Sequence, residues 1–193
     1  MRTSDIDILI IPGRTNSGPD HWQTRWQARL KTSRRVEQAD WHHPHLASWT
    51  AQLIAALQIA EKPVVLVAHS LGVAMVAHAA KKLGNQNVIG AFLVAPMSET
   101  ATADIPGIDP AFVPYPCDPL PFPSLLVASR NDPLCPYDDA GEMALNWGST
   151  LVDAGDVGHI NSASGHGAWP DGAMRFGWFL KQLGKANTTE SGG

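Results

Sequence analysis

The chain is 193 residues long, 44% hydrophobic and 17% charged, with a formal net charge of −4. That length suits one domain, and the composition supplies a sizeable core while arguing against intrinsic disorder. The densest basic stretch is Arg34-Arg35 with Lys31 nearby, and the apolar runs fall far short of the roughly 20 residues a membrane-spanning helix needs, so neither nucleic acid nor a membrane span is expected.

Ile6 to Ile11 reads as a β-branched strand stopped by Pro12-Gly13. Ser17-Gly18-Pro19-Asp20 combines a capping serine, an early proline and a first-turn acid, which predicts a helix from there to about Leu30. Val36 to Ala39 is a further, short strand candidate. Leu46, Trp49, Leu53 and Leu57 recur at helical spacing. Val64 to Ala68 is apolar without alternation, the pattern of a strand buried on both faces of a parallel sheet. A helix over Leu71 to Leu83 closes at Gly84. Val88 to Val94 and Ser124 to Ala128 read as strands, Tyr137 to Trp147 as a helix, Ser149 to Val152 as a strand and Gly172 to Leu183 as the last helix. Six strands alternating with helices predict an α/β fold: a mostly parallel six-stranded sheet in a three-layer α/β/α sandwich. Residues 97 to 123 carry seven prolines and are expected to run irregularly over the surface at the rim of a site, without a regular helix. Asn187 to Gly193 reads as a frayed tail, leaving 1–186 as a single domain.

Ligands of such sheets bind at the carboxyl ends of the strands. After Val64 to Val67 comes Ala68-His69-Ser70-Leu71-Gly72 and then a helix, the strand–turn–helix context of a nucleophile elbow. Ser70 is the candidate nucleophile. The Leu71 N–H, at the helix start, is a candidate oxyanion donor. The second donor is expected after the first strand, at the N–H of Arg14, with Thr15 as second choice. A serine needs a base, and the base an orienting acid. Asp132 lies 62 residues beyond Ser70, and His159 lies 27 beyond Asp132, each on the loop after a successive strand. Asp138 and Asp139 are rivals placed inside the next helix. His166, in the same loop as His159, is the rival base, and His159 is preferred because it sits nearer the strand end. His42, His43 and His45 cluster near Trp41, but no spacing completes a metal site there, so no metal is expected.

Taken together, Ile11-Pro12-Gly13, His21-Trp22-Gln23 with Trp26, Ala68-His69-Ser70-Leu71-Gly72, Ser129-Arg130-Asn131-Asp132-Pro133, Gly158-His159-Ile160-Asn161, Ser164-Gly165-His166-Gly167 and Trp169-Pro170-Asp171-Gly172 resemble the α/β-hydrolase superfamily from Ile6 to about Leu183. More narrowly, the chain resembles the small serine hydrolases typified by retinoblastoma-binding protein nine and the bacterial YdeN-type proteins. Ala68 stands where the general elbow pattern has glycine. The resemblance implies an α/β-hydrolase fold and a triad of Ser70, Asp132 and His159, and at 193 residues there is little room for a large cap domain, so a minimal form of the fold is expected.

The expected activity is hydrolysis of small acyl esters through an acyl-enzyme, with no metal or organic cofactor. A serine peptidase is the alternative within the class, and a non-catalytic protein-binding module the alternative outside it. Trp22, Trp26, Trp169 and the proline-rich segment are candidates to line an apolar pocket. Cys117 and Cys135 are too few for a disulfide framework and no signal peptide is visible, so reduced thiols and a cytoplasmic location are expected.

Overall fold

Val64 to Ala68 shows no alternation because both faces of its strand are covered. The computed structural model describes residues 1–83 and 87–190. Among them, six strands form one sheet: β1 (Asp7–Ile11), β2 (Ser33–Arg35), β3 (Val64–Ser70), β4 (Val88–Pro96), β5 (Ser124–Ala128) and β6 (Thr150–Asp153). Their order is β2-β1-β3-β4-β5-β6, and every neighbouring pair is parallel. The helices are α1 (Trp22–Arg29), α2 (Leu46–Gln58), α3 (Leu71–Leu83), α4 (Glu99–Asp104), α5 (Tyr137–Trp147) and α6 (Pro170–Glu190).

The two-residue period of β3 sorts its side chains into two cores. Val64, Leu66 and Ala68 join Trp49, Leu53 and Leu57 of α2 and the apolar face of α3. Val65 and Val67 join Trp22 and Trp26 of α1 and Phe176, Phe179 and Leu180 of α6. Helices therefore cover both faces, as the strand–helix alternation predicts. The sheet order also creates a switch point: the chain leaves β1 for β2 on one side and returns to β3 on the other. A crevice opens at the carboxyl ends of two strands that diverge in this way.

The structure corrects several boundaries. The first helix begins at Trp22, not near Ser17. Asn16 adopts a left-handed φ of 64°, His21 caps the helix, and its ring nitrogen accepts from the Gln23 N–H. The edge strand is Ser33–Arg35, not Val36 to Ala39. Its polar, half-buried residues pair with Ile8 to Ile10, and an edge strand needs no apolar pair of faces. A short helix, α4, fits between Met97 and Pro106, before the prolines begin, with Ser98 as its N-cap. Helix α6 begins at Pro170, two residues before the expected Gly172, and runs to Glu190. The predicted helix stop at Gly84 and the last three residues lie outside the described residues. Trp22, Trp26 and Trp169 are buried in the core between the sheet and helices α1 and α6, and none of them lines the cleft that holds Ser70.

Candidate active site

Ser70 ends β3 and directly precedes α3, and its φ of 57° is left-handed, which costs a non-glycine residue energy unless the surroundings hold it there. Close packing does so. A Cβ on Gly72 would stand 2.6 Å from the Ile11 carbonyl oxygen and 2.7 Å from that of Pro12. A Cβ on Gly13 would stand 2.7 Å from Ser70 Cβ and 3.0 Å from its Oγ. Both positions require glycine, Gly72 because the start of α3 meets the backbone after β1 there and Gly13 because that backbone meets Ser70. The Ala68 methyl is fully buried in the core on the α3 side, so the departure from glycine is accommodated. Gln23, also fully buried, donates to the carbonyls of Ile11 and Val67 at 3.1 Å each and ties the ends of β1 and β3 together.

The three predicted side chains meet at this point. His159 Nε2 lies 2.9 Å from Ser70 Oγ. His159 Nδ1 lies 2.9 Å from both carboxylate oxygens of Asp132. An ionised carboxylate only accepts, so Nδ1 carries the ring proton and Nε2 offers its lone pair to the serine hydroxyl. Asp132 Oδ1 also accepts from the Leu134 N–H at 2.9 Å, which fixes the carboxylate. The Asp132 side chain is only 2% exposed and that of His159 9%, so the pair works away from bulk water.

The rivals separate cleanly. Asp138 and Asp139 lie in the first turn of α5, as expected. His166 bonds to Ser164 Oγ at 3.0 Å through Nδ1 and packs edge-on against Trp169, not against Ser70. In the turn after β1, the Thr15 N–H donates to the Trp41 carbonyl at 2.8 Å and the Asn16 N–H to Gly13 at 3.2 Å. That leaves the Arg14 N–H free of a protein partner among the described residues. The Arg14 guanidinium reaches away, bonding the His42 carbonyl at 3.2 Å. The Leu71 N–H opens α3, where no intrahelical acceptor exists.

Ser70 and His159 line a cleft of about 400 Å³ at the switch point between β1 and β3. Met97, Ile105 and Leu134 form an apolar wall contributed by the loops after β4 and β5, and Asn16, Asn161 and Ser162 belong to a polar one. The proline-rich excursion thus reaches the rim through Ile105. Sequence reasoning missed the residues that hold the His159 loop: Ser129 Oγ accepts from the Val157 N–H at 3.0 Å, and Asn131 Oδ1 accepts from the Gly158 N–H at 2.7 Å. Their proximity to Asp132 in the sequence is the signal that could have found them. Among the described residues, no group of three or more His, Cys, Asp or Glu side chains is placed to hold a metal ion, and no helix is long and apolar enough to cross a membrane.

An all-parallel six-stranded sheet, without a cap domain among the described residues, with a serine at the turn after its third strand, defines the α/β-hydrolase class. Solved structures agree. The chain is 31% identical to a protein described as a YdeN-like hydrolase from Pectobacterium atrosepticum, with 94% of each chain covered and a TM-score of 0.82. The ydeN gene product of B. subtilis is 19% identical, with 90% of this chain and 98% of that one covered and a TM-score of 0.72. Est1E from Butyrivibrio proteoclasticus, solved with ferulic acid bound, shares the fold at 16% identity, with 93% and 89% covered and a TM-score of 0.68. A search of curated proteins found no match. The serine hydrolase family model matches residues 8–178, and the chain belongs to that family.

Proposed function

We propose that this hydrolase cleaves small acyl esters with Ser70 as nucleophile, His159 as base and Asp132 as orienting acid. The observation that carries this reading is the unbroken hydrogen-bonded chain from Asp132 through His159 to Ser70 at the cleft. His159 Nε2 takes the hydroxyl proton as Ser70 Oγ attacks the carbonyl carbon. The imidazolium so formed is stabilised by the Asp132 carboxylate. The N–H groups of Leu71 and Arg14 hold the tetrahedral oxyanion, and losing one such donor costs roughly 2.7–4 kcal/mol in kcat. His159 then protonates the leaving alcohol. Water, activated by the same imidazole, hydrolyses the acyl-enzyme and restores Ser70. The protein's own groups supply every proton transfer, so the reaction calls on no cofactor.

The apolar wall of Met97, Ile105 and Leu134 supports a short acyl chain, because a cleft of about 400 Å³ leaves little room for a long one. The substrate is a small molecule and the catalytic unit a single domain built on the one sheet. The free thiols of Cys117 and Cys135 support a reducing compartment such as the cytoplasm. The test is pre-steady-state hydrolysis of a series of p-nitrophenyl esters. The expected result is a burst of one nitrophenolate per active site and the highest kcat/KM at short chains. Turnover of aminoacyl amides without ester turnover would favour a peptidase. Inertness of folded protein toward esters and amides alike would favour a binding module.

A further inference from the structure

His159 lies on an irregular stretch between β6 and the helical turn Ser162–Ser164. Its neighbours Gly158 and Ile160 both take left-handed φ, at 62° and 45°. A segment of this kind has no ladder or helix of its own to hold it, so its position comes from side chains elsewhere. The N–H groups of Val157 and Gly158 are held by Ser129 and Asn131. The carbonyls that follow are held from the other side. His69 Nε2 lies 2.9 Å from the His159 carbonyl oxygen, and Trp22 Nε1 donates to the Ile160 carbonyl at 2.9 Å.

The alternation of β3 explains why residue 69 is available for this. Val65, Val67 and then His69 point to the face covered by α1, the face on which Ile160 is packed. A carbonyl oxygen only accepts, so the His69 ring carries its proton on Nε2. Its ring is closed in by His21 at 4.8 Å and His159 at 4.9 Å between centroids. Burial, with the neighbouring His159 and His21, holds it neutral, its pKa well below the ordinary 6.5. A neutral ring can donate this bond without placing a second positive charge beside the His159 imidazolium. Trp22 is fully buried, with its ring packed against Trp26 and Trp169 at 4.8 and 4.9 Å.

We propose that His69 and Trp22 are positioning residues for the base: their ring N–H groups grip consecutive carbonyls of the His159 loop and set the imidazole over Ser70. The dipeptide His69-Ser70 then holds His159 at two points, the ring through Ser70 and the backbone through His69. The proposal rests on the reading of Ser70 and His159 as nucleophile and base.

The test uses His69→Phe and Trp22→Phe, which keep a ring and lose the donor, and His69→Gln, which keeps an N–H donor. Ester turnover is measured as kcat per site titrated with a fluorophosphonate. Displacing a reacting group by an ångström can cost a hundredfold, so each Phe variant is expected to lose about tenfold to a hundredfold in kcat. KM is expected to stay within about twofold, and His69→Gln to stay within about threefold of native kcat. A role confined to folding would lower the melting temperature and the titratable fraction but leave kcat per titrated site unchanged. Native kcat per site in Trp22→Phe and His69→Phe, or His69→Gln as impaired as His69→Phe, overturns the proposal. Should His69→Phe fail to fold, Trp22→Phe at native kcat per site, or His69→Gln with the loss expected of His69→Phe, overturns it, and the expected values in those two sustain it. A native protein that fails to label overturns the Ser70 reading itself, and is told apart from failure of the proposal by that absence of titratable sites.

Discussion

The turn that carries Ser70 and the loop that carries His159 reach the same point by different means. The turn is fixed mostly by its own sequence: a strand ends, a helix starts, and Gly72 lets the backbone close on the Ile11 and Pro12 carbonyls, with Gly13 after β1 the distant residue that makes room for Ser70. The loop has no regular structure and is held by hydrogen bonds from groups distant in sequence, Ser129 and Asn131 after β5, His69 in β3 and Trp22 in α1. The Ser70 turn is thus written largely in consecutive residues, while the His159 loop depends on three other parts of the chain. Substitutions in the turn should act through backbone geometry, and substitutions around the loop through hydrogen bonds.

The strongest way to break the comparison is Asp132→Asn, which keeps the loop and spoils the tautomer of His159. A loss of about 10⁴ in kcat with an unchanged fold is expected, read by ester turnover and circular dichroism. Next comes Gly13→Ala, whose methyl would stand 2.7 Å from Ser70 Cβ. The turn must shift, so kcat is expected to fall about a hundredfold.

Acid sharpens the contrast in stability. His21 is held neutral, its pKa lowered from 6.5 to about 4, chiefly by burial and then by repulsion from Arg35. Its ring nitrogen also accepts the Gln23 N–H at 3.2 Å, which a protonated ring nitrogen cannot do. The unfolded chain takes up this proton at higher pH than the folded one, so stability is whole above pH 6.5 and declines as pH falls toward about 4. Thermal melts across that window are expected to fall more steeply for native protein than for His21→Gln. The smallest effect is expected for His166→Ala. Its ring bonds Ser164 and does not reach Ser70, so turnover should stay within about twofold of native.

What could be read in the sequence follows the same division. Strands β3, β4 and β5 were legible because burial on both faces leaves an unbroken apolar run, and the elbow was legible because its constraints are local. The edge strand Ser33–Arg35 was not, since its pairing with β1 is set by position and not by its own polar residues. The start of α1 was misread because Ser17 spends its hydroxyl on Gln23 Oε1 at 2.7 Å instead of capping a helix. His159 and His166 are close in sequence and alike in type, and residue order alone favoured one. Their separation is visible only through partners brought from other strands.

The shared assumption is that one hydroxyl in this fold is chemically exceptional. Treating intact protein with a fluorophosphonate probe and locating the adduct by mass spectrometry tests it directly. One equivalent bound, all of it on Ser70 and none in Ser70→Ala, is the expected result. An adduct on a different residue, or a folded native protein that stays unlabelled, would contradict it.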